Sequence, residues 1–167
     1  MKTLRLLLVL VGLAAAPASF AQLKGFGIGP YAEVAFPTNE FGKVFNMGYG
    51  GGLALDVKLP LSLGVTGSVG VLHFPGVVDG VAITAFPVRA GIKYRVSMIY
   101  AGLETGVAPM TKDMGSPVLL APAIGVRVSM LDVKVKYETW FRKKDDDNNT
   151  MNKSNWSFFG VMAALKF

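Results

Sequence analysis

The chain has 167 residues, 51% of them hydrophobic and 17% charged, with a formal net charge of +6 and no cysteine. That length suits one domain, and the missing cysteines exclude disulfides, thiolate metal sites and cysteine catalysis. The charged fraction is low for a soluble secreted domain, where about a quarter of residues carry charge.

Met1–Ala21 has the form of a secretory signal. Lys2 and Arg5 make a basic start, Leu6–Ala16 an apolar core too short to span a bilayer, and Ser19-Phe20-Ala21 a small-x-small cleavage site. The chain thus divides into a signal peptide, 1–21, and a mature domain, 22–167. No cysteine stands near the cut, which argues against a lipid anchor. Removing Lys2 and Arg5 lowers the formal charge by 2, from +6 to +4. Export argues against nucleic acid as a partner, and the remaining cations stand singly rather than in a patch. Downstream, no run approaches the ~20 apolar residues of a spanning helix. Without helices, a bilayer admits only closed barrels, because every backbone N–H and C=O must be paired internally.

Eight segments of alternating character follow, each with an apolar face and a second face of small or charged residues. Gly25–Phe36 comes first, with Phe26, Ile28, Pro30, Ala32, Val34 and Phe36 opposite Gly27, Gly29, Tyr31 and Glu33. A longer polar stretch, Pro37–Asn46, leads to Met47–Leu59, where Tyr49, Leu53, Leu55 and Val57 oppose Gly48, Gly50, Gly52, Ala54, Asp56 and Lys58. The turn Pro60-Leu61-Ser62 leads to Leu63–Phe74, and the loop Pro75–Gly80 to Val81–Arg95. In the latter, Phe86, Val88, Ala90, Ile92 and Tyr94 oppose Arg89, Gly91, Lys93 and Arg95. A turn near Val96-Ser97 precedes Met98–Ala108. The loop Pro109–Pro117 precedes Val118–Met130. A turn at Leu131-Asp132 precedes Val133–Arg142, with Lys134, Lys136, Glu138, Trp140 and Arg142 on one face. The longest polar stretch, Lys143–Asn155, leads to Trp156–Phe167. There Phe159, Val161, Ala163, Leu165 and Phe167 oppose Phe158, Gly160, Met162, Ala164 and Lys166.

Connections alternate long and short, as an up-and-down barrel in the outer membrane requires: brief turns at the periplasmic end and longer loops outside. The fold class is therefore all-β, an eight-stranded antiparallel up-and-down transmembrane β-barrel. The polar faces hold Glu33, Asp56, Glu104 and Glu138 against Lys58, Arg89, Lys93, Arg127, Lys134 and Lys136, four acids and six bases. Buried charges persist only when paired, and eight strands leave an interior just wide enough for side chains to fill. The expected lumen is an ion-paired plug, with glycines leaving room for Arg and Lys. Aromatics near strand ends on the apolar face (Phe26, Phe36, Tyr49, Phe86, Tyr94, Phe141, Phe159, Phe167) suit interfacial girdles. Pro30, Pro87 and Pro122 lie inside strands and cannot donate ladder hydrogen bonds, so bulges or shifted boundaries are expected there.

With its strand pattern and the closing segment WSFFGVMAALKF, the chain resembles the small OmpA/OmpX-like group of porin-superfamily outer-membrane β-barrel proteins. The resemblance covers the whole mature chain. It implies a monomeric, non-enzymatic integral barrel in the bacterial outer membrane, inserted by the barrel-assembly machinery. Such a barrel contacts outer-membrane lipid and supports envelope integrity or meets an extracellular partner through its loops. It carries over no functional residues, and its closing Phe167 is expected to matter for assembly. The alternatives are a narrow pore, a lipid-modifying outer-membrane enzyme, or a soluble lipocalin-like barrel with the faces reversed.

No catalytic, cofactor-binding or metal-binding residues are assigned, and no cofactor is implied. His73 is the only histidine, followed by Phe74 and Pro75; it suits an interfacial position near the loop end of the third strand. Asp145-Asp146-Asp147 with Asn148 and Asn149 lack EF-hand spacing and suit a solvated loop. The glycines Gly25, Gly27 and Gly29, and those from Gly48 to Gly52, are followed by no helix and are not phosphate loops.

Overall fold

The computed structural model describes residues 25–78, 81–111, 115–141 and 155–167. The signal-like Met1–Ala21 and the acidic run Asp145–Asp147 fall outside them. The described strands are β1 (Phe26–Thr38), β2 (Gly48–Lys58), β3 (Leu63–Pro75), β4 (Ala82–Ala85), β5 (Val88–Val96), β6 (Ile99–Val107), β7 (Val118–Val128), β8 (Leu131–Phe141) and β9 (Trp156–Leu165), and a short helix α1 (Asn39–Val44) follows β1. β4 and β5 are two halves of one strand, because both pair with β3 in a single register: Leu72 meets Ala85 and Val69 meets Val88. Eight staves result, each antiparallel to its neighbours, and β1 closes the barrel by pairing with both β2 and β9.

The closing strand behaves as its alternation predicts. It pairs with β8 on one side and β1 on the other, and Ile28 and Phe167 exchange both backbone hydrogen bonds beyond its end, at 3.1 and 3.0 Å. Closure leaves no exposed edge, which any spanning sheet needs.

The prolines introduce no extra residue. Pro30 faces Leu53 within an unbroken β1–β2 register. Pro122 faces Leu103 across β6, and the β7–β8 ladder, interrupted at Ala121 and Pro122, resumes at Ala123 with its offset unchanged. Pro87 does shift a boundary, splitting the fourth stave, yet its carbonyl still accepts from Gly70 N–H at 3.2 Å. The expected bulges are therefore absent. An inserted residue would send every later side chain to the wrong face, which is worse than one missing ladder bond.

Two boundaries differ from expectation at the short-turn end. Val96 pairs with Ile99 and Val128 with Leu131, so the turns are Ser97-Met98 and Ser129-Met130. Ser97 and Ser129 take the positive φ that tight hairpins demand, at 58° and 54°. The second shift places Asp132 inside β8 rather than in a turn. At the other end, the stretch Pro37–Asn46 is not simply a polar loop: β1 runs on to Thr38, and α1 folds back over the barrel mouth.

Candidate functional site

The two faces sort as alternation requires. Outward residues are apolar and exposed, for instance Ile92 at 63% and Ile124 at 64%. Phe36, Tyr49, Phe86, Phe141 and Phe159 ring the loop end of this surface, and Tyr94 and Phe167 mark the short-turn end. Every charged residue in the described strands lies at an inward position, and all but Lys58, Arg95 and Arg127 are buried. A soluble barrel with an apolar interior would reverse this arrangement. The candidate site is the lumen itself, and it has three storeys: an aromatic one at the loop end, a balanced charged one beneath it, and an unbalanced one at the short-turn mouth.

The loop-end storey is aromatic. Phe41 of α1 enters the mouth and is 1% exposed. Its ring stacks on Trp156, with centroids 4.7 Å apart and planes 11° from parallel, and meets Phe74 edge-on at 4.9 Å. Trp140 and Phe158 pack edge-to-face beneath it at 5.4 Å. Phe45, Leu72, Ile83 and Leu119 complete the cluster. Offset and edge-on aromatic pairs add about 0.5–1.5 kcal/mol each beyond area burial. The helix is strapped down by its neighbours: Val77 N–H donates to Val44 O at 2.9 Å, and Asn46 N–H to Pro75 O at 2.8 Å. Sequence reasoning missed this lid, because Phe41 sits in a polar stretch whose helix is only six residues long.

Directly below lies a compensated charge cluster. Arg89 reaches both Glu138, at 2.9 Å, and Glu33, at 3.3 Å, while Lys136 bridges the same two carboxylates at 2.7 and 2.8 Å. Trp140 Nε1 donates to Glu138 at 2.6 Å, tying the aromatic storey to the charged one. Two acids thus meet two bases, all with side chains at most 1% exposed. Lower still, Glu104 pairs with Lys134 at 2.5 Å and accepts from Thr66 at 3.1 Å.

The short-turn storey is unbalanced. Asp56 Oδ2 receives Lys93, Arg127 at 2.8 Å, Arg95 at 3.5 Å and Lys166 at 3.9 Å. Asp132 takes Lys166 at 2.8 Å and the Tyr100 hydroxyl at 2.5 Å. The ion-paired lumen expected from the sequence is present, enlarged by Asp132, Arg95 and Lys166. The glycines make room as expected, but for rings as well as cations. A methyl at Gly48 would strike the Phe74 ring, one at Gly125 the Tyr100 ring at 2.5 Å, and one at Gly160 Lys136 at 2.8 Å.

No protein-family model matches this sequence, and no curated protein does. Solved structures do match. Neisserial surface protein A is 16% identical with a TM-score of 0.57, covering 86% of this chain and 97% of that one. A de novo designed transmembrane β-barrel is 17% identical with a TM-score of 0.55, covering 84% and 95%. The attachment invasion locus protein of Yersinia pestis is 15% identical with a TM-score of 0.50, covering 86% and 97%. The chain has the fold of the small eight-stranded outer-membrane β-barrels.

In a barrel of this kind, His73 sits on the outer wall near the loop end. It stands beside Tyr49, with ring centroids 5.6 Å apart, and its Nδ1 meets the Thr84 hydroxyl at 2.9 Å. The lumenal carboxylates are on the opposite side of the sheet, so the fold does not bring this imidazole to any of them. The glycines Gly27, Gly29, Gly48, Gly50 and Gly52 all lie within strands.

Proposed function

We infer that this protein is a non-enzymatic, integral outer-membrane barrel with a closed lumen, which serves the envelope as a structural element and meets partners through its extracellular loops. The observation that carries this reading is the sorting of faces: an exposed apolar wall with aromatic rims outside, and a lumen filled by ion pairs beneath an aromatic lid. Exposed apolar surface on this scale needs a non-aqueous partner, and lipid tails provide one around the whole circumference. Each of the eight staves is paired on both sides, as hydrocarbon demands, with single ladder bonds lost near Pro87 and Pro122. A narrow pore would need a continuous wet path, whereas Phe41, Trp140 and Phe158 fill the loop half of the lumen above the Arg89 cluster.

The test is fractionation of an expressing bacterium, followed by boiled and unboiled samples on a detergent gel. Recovery in the outer-membrane fraction with a heat-dependent mobility shift is expected. Recovery as a soluble periplasmic protein would overturn membrane integration. His73→Ala is expected to leave any envelope phenotype intact; its loss with a well-folded barrel would argue for an enzyme.

A further inference from the structure

The balanced and unbalanced storeys differ in one chemical respect. In the loop half and middle of the lumen, Glu33, Glu104 and Glu138 meet Arg89, Lys134 and Lys136 one for one. At the short-turn mouth, Lys93, Arg95, Arg127 and Lys166 share only Asp56 and Asp132. The surplus is two positive charges, and Lys58 adds a third at the rim. All four cations crowd a single oxygen, Asp56 Oδ2. A lysine ammonium offers three donors and a guanidinium five, so the donors outnumber these acceptors several-fold. The fit is imperfect on both sides: among the described residues Arg95 Nε is buried without an acceptor, while Asp56 Oδ1 is buried without a donor.

A cavity of about 170 Å³ opens at this point, lined by Lys58, Ser62, Lys93, Arg95 and Ser97 together with Leu59 and Leu63. Its volume equals that of roughly five or six liquid waters, enough for a tetrahedral oxyanion. Low-dielectric walls focus the field of like charges into such a cleft. The planar fork of an arginine matches phosphate oxygens two at a time, and a lysine complements it as a point charge. The serines at the hairpin turns add hydroxyl donors to the rim.

We propose that this vestibule binds a phosphate group, held by Arg95, Lys93 and Lys58. Two sources have that chemistry: free phosphate or a small phosphorylated solute, and the headgroup of an anionic phospholipid in the adjoining leaflet. The headgroup source rests on the proposed membrane integration, whereas binding of free phosphate rests only on the geometry of the mouth.

The experiment uses the full-length folded barrel, labelled with ¹⁵N in zwitterionic detergent. Inorganic phosphate is titrated at low ionic strength, with chloride at equal ionic strength as the reference, while the arginine Nε–H resonances are followed. A saturable shift of Arg95 that leaves Arg89 unmoved is expected. Lys58→Gln, a substitution at the exposed rim, should weaken binding roughly tenfold, the equivalent of one charge-assisted hydrogen bond. Arg95→Gln, followed by calorimetry, should weaken it at least as much. In a second arm the barrel is reconstituted with phosphatidylcholine and phosphatidylglycerol, extracted, and weighed by native mass spectrometry. Phosphatidylglycerol retained by the wild type and lost in both variants assigns the site to a headgroup. A response to inorganic phosphate without retained lipid assigns it to a solute. No Arg95 response beyond that to chloride together with no retained lipid, or equal binding by both variants and the wild type, overturns the proposal.

Discussion

In the loop half of the lumen, each buried charge has an opposite charge in contact and a layer of rings above it. In the short-turn half, four cations draw on two carboxylates and an open vestibule adjoins them. The two halves share one wall and one alternation rule, yet only the first is sealed. A charge taken fully out of water needs its own partner, because desolvation exceeds the attraction in any but excellent geometry. At the mouth Asp56, Asp132, Lys93 and Lys166 are buried too, but Arg95 and Arg127 keep part of their side chains in solvent, so they tolerate sharing one carboxylate. The difference tells which cations hold the barrel together and which are available to something else.

Removing one arginine from each half separates the two most strongly. Arg89→Met leaves Glu33 and Glu138, in the sealed half, to share the single charge of Lys136. It should lower the unfolding free energy by about 3–5 kcal/mol, measured as a shift of the urea midpoint in lipid or detergent. Adding Glu33→Gln to that variant, which leaves Lys136 paired one for one with Glu138, should recover most of the loss. Phe41→Ala removes the lid's central ring and should cost about 3 kcal/mol. Trp156 loses its stacked partner, so tryptophan emission should move to longer wavelength; unchanged emission would show that the lid does not shield the indoles. Arg127→Met in the short-turn half should change stability by less than about 1 kcal/mol, because Asp56 keeps Lys93, Arg95 and Lys166. If it proved as damaging as Arg89→Met, the distinction between the halves would fall.

Much of this architecture was legible in the chain. Alternation places every strand charge inward, from Glu33 in β1 to Lys136 in β8, because period two leaves no other assignment once one face is apolar. It could not reveal which charges meet, since Arg89 and Glu138 stand 49 residues apart and touch only across the closed lumen. Asp132 was lost to a turn assignment two residues out of place, although Lys134 and Lys136 continue its parity. The lid was the largest omission. Trp140, Trp156 and Phe158 carry inward parity, but a loop phenylalanine covering them has no periodic signature. The prolines signalled bulges or shifted boundaries: Pro87 does split its stave, but no bulge forms, because keeping the faces in register outweighs the loss of single hydrogen bonds.

On the proposed reading, the Arg89–Glu33–Glu138–Lys136 cluster beneath the Phe41 lid closes the lumen. Current recorded across planar bilayers containing the purified protein tests it most directly. The wild type is expected to show no sustained conductance above the bare bilayer, and Arg89→Met combined with Phe41→Ala to admit small, flickering currents. A large, steady, ion-selective conductance from the wild type would contradict the account.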